Sequence, residues 1–154
     1  MSEAYIGIGS NLGHRKQNCE KAISLLTENR ITVLKRSTML ETEPWGIKDQ
    51  PKFINMAIQI DTILAPEDLL NLLKEIESAI GRTQTFRWGP RIIDLDILLY
   101  DNLVINTNTV QIPHPGIKDR DFVLRPLTEI APDKLHPVFK KSIKELLDEL
   151  LKQT

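Results

Sequence analysis

Residues 87–99 read RWGPRIIDLDILL, a basic loop followed at once by an alternating strand pattern. Successive side chains on a strand point to opposite faces, so Asp94 and Asp96 share one face while Leu95 and Ile97 point toward a core. Two acids on one face suit Mg²⁺, which is usually held by one or two carboxylates together with substrate phosphates. A solvated face with ordinary arginine partners explains the same spacing. Spacing alone favours the solvated face and leaves the metal site open.

Length and composition narrow the classes of protein that fit. A chain of 154 residues has the length of a single domain, here residues 1–154. The net charge of −1 offers no basic field for nucleic acid or a membrane surface, so we expect neither partner. Cys19 is the only cysteine, which excludes an internal disulfide and fits a reducing compartment. With no signal-like N-terminus and no apolar run of membrane length, we expect a cytoplasmic protein, and we expect it to be monomeric.

Hydrophobic periodicity predicts the order strand, helix, strand, strand, helix, strand. This is the order of a ferredoxin-like split βαβ unit, an α+β fold with an antiparallel sheet, here with C-terminal additions. The predicted elements are strands at 5–9, 31–40 and 53–63, a helix at about 14–28, a helix from Pro66 to Gly81, a strand ending near Tyr100, a small hairpin at 103–105 and 110–112, a helical turn over 125–132 and a helix from Ser142. The apolar stripe of the second helix leaves Lys74 and Glu77 off its face.

Three loop features each allow two interpretations. The segment 7–13, GIGSNLG, comes close to a dinucleotide-binding fingerprint, but its third glycine is one position late. Alternatively, its glycines allow close approach of a backbone or ligand, and Asn11 caps the following helix. In the long loop at 41–51, Trp45 either covers the core edge or stacks on a ligand. His114, held between two prolines, is either structural or a ligand contact.

Several separated stretches, taken in order along the chain, agree with one family. They are GSNLG at 9–13, TEPWG at 42–46, DQPKFIN at 49–55, GR at 81–82, RWGPRIIDLD at 87–96, PHP at 113–115, FVL at 122–124 and EIAP at 129–132. Together they resemble the 6-hydroxymethyl-7,8-dihydropterin pyrophosphokinases of folate biosynthesis. The match covers essentially the whole chain, and its Gly-Pro-Arg-x-x-Asp-x-Asp core is the most specific part.

The resemblance implies a ferredoxin-like fold and a reaction with two small-molecule substrates, ATP and the reduced pterin. The hydroxymethyl oxygen of the pterin attacks the β-phosphorus of ATP, so pyrophosphate is transferred and AMP leaves. Such chemistry depends mainly on positioning and charge neutralisation. By the same resemblance Asp94 and Asp96 hold two Mg²⁺ ions, and Arg82 and Arg91 contact the phosphates.

The resemblance also implies residues for the two substrates. For ATP these are Glu77, His114 and Arg120. For the pterin, Phe53 and Phe122 sandwich the ring, Asn55 reads its polar edge, and the closing loop contributes Thr42, Pro44 and Trp45. An amide can both donate and accept hydrogen bonds, which suits the mixed edge of a pterin.

Some positions depart from the family pattern. Gln84 stands where a basic residue is frequent, Lys74 replaces a glutamine, Gly116 stands where arginine is frequent, and the loop at 82–88 is somewhat short. Arg87 is interpreted as structural. Two alternatives remain to be separated from the pyrophosphokinase: a non-catalytic ferredoxin-like module that binds a ligand or RNA, and a dinucleotide-dependent reductase built on the glycine turn.

Overall fold

The computed structural model describes residues 1–43, 51–81 and 92–153, which form a sheet with helices on both faces. The strands are β1 (Ser2–Ser10), β2 (Thr32–Arg36), β3 (Leu40–Thr42), β4 (Phe53–Thr62) and β5 (Asp94–Tyr100), with a separate hairpin of β6 (Ile105–Asn106) and β7 (Gln111–Ile112). The helices are α1 (Arg15–Glu28), α2 (Pro66–Ile80), α3 (Asp121–Ile130) and α4 (Ile143–Lys152), and a 3₁₀ turn at Ile117–Asp119 precedes α3. None of the described helices is long and apolar enough to cross a bilayer.

The main sheet is antiparallel and is ordered β2, β4, β1, β5, with β3 also pairing with β4. Strands β1 and β4 therefore lie side by side in the centre of the sheet. Helices α1 and α2, which connect its strands, both pack on one of its faces. This topology confirms the predicted ferredoxin-like α+β class. The small hairpin, the end of α2 at Gly81 and the start of α4 after Ser142 are confirmed as well.

Two hydrophobic clusters lie on opposite faces of the sheet. One joins alternate strand residues such as Ile6 and Ile58 to α1 and α2. The other joins Tyr5 and Ala57 to α3 and α4. Further along β1 and β4, the second face carries glycines and partly buried side chains instead of core residues. The same face is thus a core at one end and a polar surface at the other.

The predicted strand at 31–40 is wrong as one continuous element, although its antiparallel pairing with β4 is confirmed. It is split into β2 and β3 around Ser37, whose amide donates to the Ala57 carbonyl and whose hydroxyl accepts from the Ala57 amide, each at 2.9 Å. Arg36 pairs with Ile58 and Leu40 with Asn55, so one strand advances four residues while β4 advances three. This mismatch is a bulge, which sequence alternation does not show.

Two further local predictions are wrong, and the burial of one side chain departs from the helical pattern. Asn11 does not cap α1, because the helix begins after His14 without a side-chain cap and the Asn11 amide donates instead to the Pro51 carbonyl at 3.0 Å. Glu77, which the periodicity places off the apolar stripe of α2, is nevertheless buried, with 6% of its surface exposed. The predicted turn at 125–132 is part of the longer helix α3, which contains Pro126. The helix starts at Asp121, so its first turn is already closed before the proline.

Candidate active site

Asp94 and Asp96 stand at the start of β5 on one face of the sheet, as the alternation predicts. Both are partly exposed, whereas Leu95 between them is buried on the opposite face. In the register with β1, Asp94 pairs with Gly9, and Asp96 pairs with Gly7. Each acid therefore stands beside a strand position that has no side chain.

Asn55 approaches Gly9 from the other side. It pairs with Gly9 in the register of β1 and β4, so Asn55, Gly9 and Asp94 form one row across three strands. With a strand spacing of about 4.8 Å, the α-carbons of Asn55 and Asp94 lie roughly 10 Å apart. We call the strand positions Gly7 and Gly9 the glycine floor; the Leu98 side chain lies over Gly7, where an added Cβ would stand 3.3 Å from its Cδ2.

The amide of Asn55 has a defined orientation at the glycine floor. Its Nδ2 donates to Thr42 Oγ1 at 2.7 Å. Its Oδ1 lies toward Gly9, since a Cβ added at Gly9 would stand 3.0 Å from this oxygen and 3.8 Å from Phe53 Cδ1. Thr42 pairs with Phe53 between β3 and β4, so the two residues that surround the amide belong to neighbouring strands. The floor is thus bordered by an amide oxygen and an aromatic ring.

Glu77 connects helix α2 to the strand that carries the acids. Its Oε2 accepts a hydrogen bond from the Leu95 backbone amide at 2.8 Å, between Asp94 and Asp96 in the chain. A buried carboxylate requires such partners, and an amide left unpaired at this position would be costly. The predicted contact of Glu77 with nucleotide stays a prediction, because this bond concerns the strand.

Two asparagines hold the loops that surround the glycine floor, and sequence reasoning did not assign them these roles. Asn18 Nδ2 contacts the carbonyl oxygens of Leu12 at 3.0 Å and Ile92 at 3.3 Å. Asn11 joins the turn after β1 to the chain entering β4, through Pro51. In the sequence, Asn11 and Asn18 are simply polar residues in a turn and a helix. Nothing in their local pattern indicates that they bond to Pro51 and Ile92, which lie far away in the chain.

His114 lies on a turn docked against β5. Its backbone amide donates to the Leu98 carbonyl at 3.0 Å, and its Nδ1 accepts from the Gly116 amide at 3.1 Å. Burial lowers the pKa of His114, the Arg120 guanidinium lowers it further, and Asp94 raises it. Arg120 and Asp94 therefore both lie within electrostatic reach of His114, which connects this predicted ATP contact to the acid pair.

A family profile described as "7,8-dihydro-6-hydroxymethylpterin-pyrophosphokinase (HPPK)" matches residues 5–132. The chain belongs to this family. Among curated pyrophosphokinases, the chain is 42% identical over 149 residues to the protein of Aquifex aeolicus, covering 97% of this chain and 92% of the relative. It is 48% identical over 129 residues to the Bacillus subtilis protein, covering 83% and 77% of the two chains. The resemblance drawn from the motifs is confirmed.

Solved structures of HPPK-DHPS from Plasmodium falciparum share the fold. One, described as wild type with SDX-DHP, has a TM-score of 0.77 and 16% identity, covering 99% of this chain and 44% of the other. The chain also corresponds to 21% of the folic acid synthesis protein fol1 of Schizosaccharomyces pombe, at 42% identity. HPPK membership decides against an RNA-binding module and a dinucleotide reductase.

The HPPK site predicted from sequence is partly within the described residues. The described members are Thr42, Phe53, Asn55, Glu77, Asp94, Asp96, His114, Arg120 and Phe122. Of these, the structure brings Thr42, Phe53 and Asn55 together beside the glycine floor, opposite the acid pair. Phe122 is the second residue of α3 and is partly buried. Pro44, Trp45, Arg82 and Arg91 lie outside the described residues.

The donor set at the acid pair fits magnesium better than a metal that needs several protein ligands. Within residues 1–43, 51–81 and 92–153, no three His, Cys, Asp or Glu side chains come together as a metal-binding group. Mg²⁺ keeps several waters and takes phosphate oxygens from a substrate, so one or two carboxylates are enough to hold it. Asp94 and Asp96 are partly exposed on one face and meet that requirement.

Proposed function

We propose that this chain transfers pyrophosphate from ATP to the hydroxymethyl oxygen of 6-hydroxymethyl-7,8-dihydropterin, with release of AMP, and that Asp94 and Asp96 hold two Mg²⁺ ions for this step. The pyrophosphokinase reaction of folate biosynthesis, with ATP as co-substrate, follows from membership of the family. One observation carries the assignment of residues: an amide and two carboxylates flank a floor of Gly7 and Gly9 on a single sheet face.

The pterin is proposed to bind on the Asn55 side of the glycine floor. The ring would lie next to the Asn55 amide oxygen and Phe53, the two side chains that border the space over Gly9. Thr42 holds the other end of the amide, so the orientation is set before substrate arrives. Phe53 borders the same space, and Phe122 is proposed as the second aromatic of the sandwich.

The triphosphate is proposed to bind on the side of the acid pair. Asp94 and Asp96 would hold the ions, and bound Mg²⁺ would neutralise charge on the phosphate oxygens. His114 and Arg120 would contact ATP beside these ions, because His114 lies within electrostatic reach of both Asp94 and Arg120. Glu77 keeps the start of β5 in place through Leu95, and its predicted place beside the nucleotide is retained as part of the proposal.

Four contributors are proposed from the family motif alone. Arg82 and Arg91 would donate to phosphate oxygens, whose charge changes during transfer, and a guanidinium can do so with two parallel hydrogen bonds. Pro44 and Trp45 would close over the pterin. The protein is proposed to act as a cytoplasmic monomer without nucleic-acid or membrane partners.

The reaction is tested by product analysis. The purified protein is incubated with ATP, Mg²⁺ and 6-hydroxymethyl-7,8-dihydropterin, and nucleotides are separated by chromatography. AMP should form in a one-to-one ratio with pterin pyrophosphate, and only when the pterin is present. Formation of ADP instead would mean transfer of a single phosphoryl group and would overturn attack at the β-phosphorus.

The metal assignment is tested with Asp96→Ala, which removes one of the two carboxylates. We expect turnover to fall by at least roughly 100-fold, equivalent to about 2.7 kcal/mol of transition-state stabilisation. The far-UV circular dichroism should stay unchanged, because Asp96 is not part of either hydrophobic cluster. Asp148→Ala, at an exposed position of α4, is the matched control and should keep full activity. Full turnover of Asp96→Ala at saturating Mg²⁺ would contradict the assignment.

A further inference from the structure

The Arg120 side chain folds back onto the turn that contains Gly116. A Cβ built on Gly116 would lie 2.8 Å from Arg120 Nε, 2.9 Å from Cζ and 3.2 Å from Nη1. Real Cβ atoms do not come this close to other heavy atoms. The guanidinium is the flexible end of the Arg120 side chain, and it would have to leave its present place if any other side chain stood at position 116.

Gly116 also fixes the ring of His114. Its backbone amide donates to His114 Nδ1 at 3.1 Å. A neutral imidazole that accepts at Nδ1 carries its hydrogen on Nε2, so the opposite edge of the ring becomes a donor. One glycine thus contacts two of the side chains that are proposed to bind ATP, His114 and Arg120.

The backbone of Gly116 does not itself require glycine. Its φ of −94° and ψ of 4° are accessible to any L-residue. The family motif often has arginine here, whereas this chain has glycine at the point of closest approach to Arg120. Glycine at position 116 therefore matters for the present place of the Arg120 guanidinium and not for the backbone conformation.

We propose that Gly116 is a positioning residue for ATP: its missing side chain lets the Arg120 guanidinium lie against the turn beside His114, so that both face one ligand. The proposal rests on the proposed ATP contacts of His114 and Arg120. Gly116 itself touches no reacting atom in this scheme. It acts through the place that Arg120 takes.

The test is Gly116→Ala, which adds one methyl group at a permitted backbone conformation. We expect the KM for ATP to rise by roughly tenfold, the size of one lost hydrogen bond to a charged group. The kcat and the KM for the pterin should change less than twofold, and the melting temperature should not fall. Lys118→Ala, at an exposed neighbour in the same turn, is the control and should leave all three constants unchanged.

A double-mutant cycle with Arg120→Ala separates the proposal from a general effect on the turn. On the Arg120→Ala background, Gly116→Ala should have no further effect on the KM for ATP. If Gly116→Ala raised the KM for ATP equally on both backgrounds, the glycine would act independently of Arg120 and the proposal would be overturned. A fall in kcat together with a fall in melting temperature would likewise mean that Gly116 is only structural. An unchanged KM for ATP in Gly116→Ala, while Arg120→Ala raises it, would also overturn it.

A wrong assignment of Arg120 as an ATP contact would be recognised from the single variant Arg120→Ala. If Arg120→Ala alone leaves the KM for ATP unchanged, Arg120 is not an ATP contact and the positioning role falls with it. The reaction itself is judged separately, by AMP formation in the wild-type protein.

Discussion

Glu77 shows how one buried carboxylate can connect a helix to a functional strand. The helical stripe of α2 places Glu77 next to Ile76, at the border of the apolar face, where a carboxylate is expected to reach solvent. It is buried instead because the Leu95 amide supplies a partner at 2.8 Å. Sequence pattern alone cannot predict this, since the partner lies in another element and is a backbone group that every residue type offers.

Removing this carboxylate should weaken the fold more than neutralising it. In Glu77→Ala the Leu95 amide loses its acceptor, and we expect the free energy of unfolding to fall by about 1–3 kcal/mol. Glu77→Gln keeps an acceptor oxygen and should lose less. Urea denaturation measures both, with Glu75→Ala as the control, because Glu75 lies on the exposed side of α2. Equal stabilities of wild type and Glu77→Ala would show that this bond contributes nothing.

For single helices and strands, the sequence predicts the structure best where the hydrophobic period and the residues that begin or end an element agree. The alternation in β5 places Asp94 and Asp96 on one face because the strand period is two residues. Helix α4 is also predictable, since Ser142 and Glu145 stand at the spacing of a capping box, and both of its hydrogen bonds form at 3.1 Å. The bulge at Ser37 is not predictable, because it arises only from the register with β4.

The capping box gives a stability prediction for α4. Ser142→Ala removes the acceptor for the Glu145 amide and should lower the free energy of unfolding by about 1 kcal/mol. Chemical denaturation with fluorescence or circular dichroism detects a change of this size. Ser24→Ala, at an exposed position inside α1, serves as the control and should be neutral or slightly stabilising. A loss in Ser24→Ala as large as in Ser142→Ala would rule out the capping explanation.

For the whole molecule, the two faces of the sheet have different uses. Helices α1 and α2 cover one face along the length of the strands and form a hydrophobic core with it. The other face forms a core only where α3 and α4 cover it. The sequence predicted the fold class and the acid pair on one strand. It did not predict that α3 begins at Asp121, because Pro126 reads as a helix boundary when its tertiary setting is unknown.

Acid should destabilise the C-terminal part of this structure through His136. Burial lowers the pKa of His136, and its Nδ1 accepts from the amides of Val138 and Phe139, each at 3.2 Å. Because the unfolded chain binds the proton more readily, the stabilisation is complete above the unfolded pKa of about 6.5 and is lost as pH falls through the lower folded pKa.

Denaturation at pH 7.5 and at pH 5.5 measures this effect. The free energy of unfolding should fall more steeply with acid in the wild type than in His136→Asn, which keeps an acceptor but does not titrate. His14→Asn, at an exposed position, should follow the wild type. Parallel curves for His136→Asn and the wild type would assign the acid sensitivity to other groups.

The glycine floor has a consequence for inhibitors of this enzyme. A flat compound bound beside Gly9 would touch main-chain atoms, which no point mutation can delete. Resistance at this position can arise only by adding a side chain, and even a methyl group would press against the Asn55 amide oxygen at 3.0 Å. If the pterin binds beside Gly9 as proposed, such a substitution would obstruct the pterin as well as the inhibitor, so resistance at Gly9 would reduce folate synthesis.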